Sequence, residues 1–155
     1  MARQVVKQPP EAPARTRYED DLYSWVQEQV ELLRAGRLGE IDANNIAEEL
    51  SDVGNEQLDK LESALAVLAQ HLLKWDYQPD LRSRSWQLTI REQRRRIERL
   101  LRKSPGLKAK LQEAIGDAYA DGRDRALDET GLPDAKLPET CPYTFEALMT
   151  RAVET

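Results

Sequence analysis

The chain has 155 residues, a formal charge of −5 and a single cysteine. That length suits one domain with a sizeable core, and 33% charged residues, 6% aromatics and only seven glycines favour a helical protein over a sandwich or barrel. One cysteine excludes an internal disulfide and fits a reducing, cytoplasmic setting, and no apolar run reaches the roughly 20 residues of a membrane span, so no membrane association is expected.

Residues 1–16 are polar and carry Pro9, Pro10 and Pro13. They lack the apolar centre of a signal peptide and are expected to be a disordered tail. The ordered domain is expected over 17–150. The first helix follows, with Leu22, Trp25/Val26, Val30 and Leu33 at helical spacing. Glu19, Asp20 and Asp21 are expected in its first turn, where the helix dipole favours carboxylates, and Gly36 ends it. Asp42 caps a second helix of about 30 residues. Its apolar seam runs through Ile46, Leu50, Val53, Leu61, Leu65, Leu68, Leu72 and Trp75. Gly54 interrupts it and marks either a close helix contact or a kink, at a cost of about 1 kcal/mol relative to Ala.

Pro79 breaks the pattern. A third helix is expected from about Ser83 to Lys103, with Trp86, Ile90, Gln93, Ile97 and Leu100 on its inner stripe. Ser104-Pro105 reads as an N-cap and first position of a fourth helix, which Gly131 ends. A proline-punctuated wrap leads to a short last helix that Thr144 caps. The predicted architecture is all-α: an antiparallel up-down four-helix bundle with a disordered N-terminal tail and a short C-terminal helix.

Charge is unevenly spread. Arg82 to Lys103 holds nine arginines and lysines against two glutamates, a local +7, so the remainder carries −12. On a helical wheel Arg84, Arg91, Arg95, Arg99 and Arg102 fall roughly 100–180° from Ile90. That basic face has two readings. It tracks phosphates of a nucleic acid, or it lies along the acidic second helix and selects the topology. The second needs only the fold and is the one expected.

Most site chemistries find no support. With one histidine and one cysteine there is no CxxC and no HExxH, and the residue three before His71 is Leu68, so no Glu-x-x-His pair exists. No metal and no cofactor are expected. Cys141 has nothing nearby in sequence to lower its pKa. There is no glycine-rich phosphate loop. His71 lies beside the apolar seam, where a packed histidine is the expected role.

The stretches HLLKWDYQP and RSRSW, with YEDDLYSWVQEQVELLRAG, TIREQRRRIERLLRK and CPYTFEAL, resemble the bacterial DUF29 family of helical proteins of unknown function. The resemblance spans nearly all of 18–148. It implies a helical bundle, carries over no catalytic role, and marks His71, Trp75, Trp86, Arg91 and Arg95 as characteristic positions. If Pro79 closes an antiparallel turn, His71 and Arg91 lie about a turn apart. A polar cluster of His71, Arg91 and Arg95 is therefore expected, and a second one of Asn45, Glu48 and Glu49 some 30 Å along the second helix. The functional expectation is a non-enzymatic interaction or regulatory module with a protein partner. Nucleic-acid association through the arginine face is the alternative, and a nuclease centred on His71 comes last. Oligomeric state is not legible in the sequence.

Overall fold

The computed structural model describes residues 15–154. The expected disordered tail lies outside the described residues but for Arg15 and Thr16. Both are anchored: the Arg15 guanidinium reaches Glu40 at 2.5 Å, and the Thr16 hydroxyl donates to Glu28 at 2.5 Å. Among the described residues the structure is all-α, with five helices and no strand: α1 (Leu22–Arg34), α2 (Ala43–Tyr77), α3 (Arg84–Lys103), α4 (Leu111–Thr130) and α5 (Phe145–Thr150). The chain divides into two compact units, with the boundary between Ser51 and Asp52 inside α2.

The first unit holds α1, a short turn of 3₁₀ helix (Leu38–Glu40) and the start of α2. Asp21 is the N-cap of α1, its side chain accepting from the Ser24 N–H at 3.0 Å. Glu19 and Asp20 therefore precede the helix, and no acidic residue occupies its first turn. Gly36 ends the segment at φ +69, a left-handed conformation that favours glycine. Asp42 caps α2 as expected, accepting from Asn45 N–H at 3.3 Å. Trp25 is the buried apolar side chain here, while Leu22, Tyr23, Leu33, Leu38 and Leu50 are exposed. The predicted seam thus fails at Leu50, and at Val53 just beyond it: they keep helical spacing, but no element of their own unit packs over them.

The second unit is a helix bundle. Leu61, Leu65, Leu68 and Leu72 of α2 meet Ile90 and Ile97 of α3, Ala114 and Ala118 of α4, and Leu148 of α5 in one core. A 3₁₀ turn (Pro79–Leu81) folds α3 back along α2. The Lys74 ammonium sits 4.4 Å from the Trp86 ring centroid, one residue from the register an antiparallel turn at Pro79 implies. Ser83 caps α3 through the Trp86 N–H. The fourth helix begins later than expected: Pro105–Lys110 form a 3₁₀ segment, the Ser104 side chain makes no cap bond, and α4 starts at Leu111. Gly122 and then Glu129 of α4 lie against Ala66 and then Gln70 and Lys74, so α4 runs in the direction of α2.

The close-packing glycine is Gly122 rather than Gly54. A Cβ at Gly54 meets nothing within 4 Å, whereas one at Gly122 stands 2.5 Å from the Ala66 carbonyl oxygen. The C-terminal wrap is pinned to α4, with the Tyr119 hydroxyl and Arg123 Nε both donating to the Pro138 carbonyl at 2.6 and 2.9 Å. Thr144 caps α5 through the Ala147 N–H. Arg94 of α3 then closes the last turn, donating to the carbonyls of Leu148 and Arg151, each at 2.8 Å.

Candidate functional site

His71 lies half-buried on α2. Its Nδ1 is 2.9 Å from the Val67 carbonyl. A carbonyl only accepts, so Nδ1 carries the proton and the neutral ring leaves Nε2 as its lone pair. Burial holds the His71 pKa below the usual histidine value, against a weaker upward pull from the Val67 carbonyl. The charged groups facing the ring are Lys74 and Glu129.

Lys74 is the unusual member. Its side chain is 2% exposed, its ammonium stacks on Trp86, and it forms an ion pair with Glu129, which is 51% exposed. Gln70 adds an amide hydrogen bond to Glu129 at 2.7 Å. The Lys74 contact and the Gln70 amide hold the Glu129 carboxyl below the usual carboxylate range. The polar partner of the His71 region therefore comes from α4. Arg91 and Arg95 of α3 are exposed, and among the described residues neither makes a hydrogen bond or ion pair with His71. Lys74 and Glu129 escaped the sequence reading, although a lysine between Leu73 and Trp75 in an apolar seam was a visible signal.

Around Asn45 the first unit forms an open cavity of about 320 Å³, lined by Arg17, Trp25, Gln29, Asp42 and Asn45 among others. Asn45 Nδ2 donates to Asp42 at 2.7 Å and the Tyr18 hydroxyl donates to Glu49 at 2.7 Å. Glu48 is exposed. Asn45 and Glu49 are thus each tied to a different neighbour. Glu40 binds both Arg15 and Arg37 at 2.5 Å, so much of the charge at this end is internally satisfied.

The nucleophile-bearing groups are quiet. Burial pushes the Cys141 thiol up, and its S–H donates to the Tyr143 carbonyl at 3.4 Å. Burial also raises the Tyr119 hydroxyl to about 12, and burial together with the Asp76 carboxylate raises Tyr143 further.

The arginine face is left without ion pairs among the described residues. Arg84, Arg91, Arg95, Arg99 and Arg102 are all exposed. At about 100° per residue they occupy an arc of roughly 80° opposite the buried stripe of Ile90, Gln93 and Ile97. The third helix does lie along α2, but the expected charge pairing is corrected: among the described residues no ion pair joins α3 to α2, and these arginines point away from the buried stripe. The reason lies on the other side of the bundle. Burial and the carboxylates of Asp117, Asp59, Glu113 and Asp121 hold the Glu62 carboxyl above the usual range. Glu62 of α2 thus lies among like charges of α4 rather than against an arginine of α3.

No helix of the described residues is long and apolar enough to cross a membrane, and no group of three or more metal-ligating side chains gathers among them. Among curated proteins and among solved structures, nothing matches the chain. The model of the family described as "Domain of unknown function DUF29" matches residues 17–153, nearly the whole chain, and the chain belongs to that family, whose function is unknown.

Proposed function

We propose that the chain is a non-enzymatic interaction module, working in the bacterial cytoplasm, whose arginine row on α3 holds an acidic surface of a partner protein. One observation carries this reading: five exposed arginines share one face of a helix, and none has a carboxylate partner among the described residues. Surface cations left unpaired beside so many acidic residues steer and orient an anionic partner. The raised pKa values of the thiol and phenols weigh against nucleophilic catalysis. His71, with its charged neighbours Lys74 and Glu129, then serves the α2–α4 interface, and Asn45, Glu48 and Glu49 serve the start of α2.

Nucleic acid is the second reading, favoured by the same guanidinium groups. Single-strand binders interleave such charges with aromatic platforms. The exposed positions of α3 carry none, since Trp86 is half-buried beneath Lys74. Fluorescence anisotropy of a labelled poly-glutamate peptide and of a labelled single-stranded RNA separates the two. Saturable, salt-sensitive binding of the peptide with weaker binding of the RNA is expected. Preference for the RNA by tenfold or more overturns the protein-partner reading.

A further inference from the structure

The second unit carries two faces of opposite charge, one without an ion pair and one only partly paired by the fold. One is the arginine row of α3. The other is the acidic side of α4, where Glu113, Asp117 and Asp121 are exposed; the packing of Gly122 on Ala66 brings this stretch of α4 alongside Glu62 of α2. Among the described residues two members of that acidic row are held in exposed ion pairs, Glu113 with Lys110 at 3.0 Å and Asp121 with Arg125 at 4.0 Å, and such pairs are weak. Asp117 has no ion pair there.

The two faces match in spacing as well as sign. Glu113, Asp117 and Asp121 recur every four residues along α4, and Arg91, Arg95 and Arg99 recur every four along α3. Each step is about 6 Å of helix rise, so one row meets the other without strain in either helix. All six side chains are exposed.

We infer that a second copy of this chain supplies the acidic partner, with the acidic side of α4 of one copy seated on the α3 arginine row of another. This rests on the reading that the arginine row is a binding face, and it names the occupant. The contact is heterologous: each copy offers one face and receives at the other, so assembly continues past the dimer unless a ring closes. Exposed charge pairs are weak and screened by salt, so the assembly forms at high protein concentration and low salt and dissolves at high salt.

The test is sedimentation equilibrium of the full chain. The mass expected of one copy is 17.8 kDa. At about 50 mM salt, where screening is weak, the weight-average mass rises with concentration; at about 500 mM it returns to one copy. An all-acidic variant, with Arg91, Arg95 and Arg99 changed to Glu, stays monomeric. So does an all-basic variant, with Glu113, Asp117 and Asp121 changed to Lys. Mixed together, the two associate again, because each now answers the other, and circular dichroism confirms that both remain folded. Wild type that stays monomeric at low salt overturns the inference, as does a mixture of folded variants that fails to associate. If wild type is monomeric yet binds poly-glutamate, and the all-acidic variant does not, self-association falls while the arginine-face reading stands. If the peptide is not bound either, both fall.

Discussion

Replacing Gly122 with alanine sets a close helix contact against helix propensity, and the structure decides which wins. The new Cβ stands 2.5 Å from the Ala66 carbonyl oxygen and 3.1 Å from both the Ala69 Cβ and the Gln70 nitrogen. A carbon meets a carbonyl oxygen comfortably at about 3.3 Å or more. Two of these three neighbours are backbone atoms inside α2, so no side chain can swing aside, and α4 must move outward by several tenths of an ångström. Overpacking of this kind costs about 1–3 kcal/mol, against a gain of about 1 kcal/mol for alanine over glycine in a helix. A net loss of up to about 2 kcal/mol is expected. Gly116 is the control, because it lies in the same helix and a Cβ there meets nothing within 4 Å. Gly116→Ala should gain up to about 1 kcal/mol. Urea denaturation of both variants, with unchanged slopes, reads the difference. If Gly122→Ala is as stable as Gly116→Ala, the close α2–α4 approach is refuted.

Four further outcomes follow from the same contacts. Glu129→Ala leaves the buried Lys74 ammonium without its carboxylate and should cost about 2–3 kcal/mol, below the full penalty of a deeply buried pair because Glu129 is half in water. Lys74→Met gives up the cation–π contact but keeps apolar packing against Trp86 and frees a carboxylate that water reaches, so it should cost less than Glu129→Ala, about 1 kcal/mol; denaturant melts that reverse this order contradict the assignment. Arg94→Met removes two charge-assisted bonds to the last carbonyls of α5 and should cost about 1.5–3 kcal/mol, with faster proteolytic cutting after Pro142. The lowered His71 pKa means the unfolded chain binds its proton first. Stability is full above the unfolded value near 6.5 and falls as pH drops toward the folded value. The raised Glu62 carboxyl acts in the opposite sense at lower pH, so pH-dependent melts of His71→Gln against wild type should differ in the first window.

The helices were legible where periodicity, caps and breakers agreed. Asp42, Ser83, Thr144 and Gly131 mark boundaries through local bonds or local backbone conformation, which neighbouring residues determine. Leu50 and Val53 were misread because spacing says which residues share a face, not whether anything covers that face. Gly54 and Gly122 look alike in sequence, and only the approach of α2 to α4 separates them. The arginine row was legible because it lies on one helix. Its charge environment was not, because the placement of Glu62 among the carboxylates of α4 depends on how α4 packs. Lys74 and Glu129 lie 55 residues apart, and nothing local couples them.

The most direct measurement is the affinity of labelled poly-glutamate for the chain with the row removed and with arginines elsewhere removed. Changing Arg91, Arg95 and Arg99 together to alanine should weaken binding at least tenfold. Changing Arg17, Arg37 and Arg125 together, which already face carboxylates at 3.7, 2.5 and 4.0 Å, should leave it within about twofold, since exposed paired charges contribute little. Equal losses from the two triple variants would mean that binding follows total charge, and the account of α3 as the binding face would be wrong.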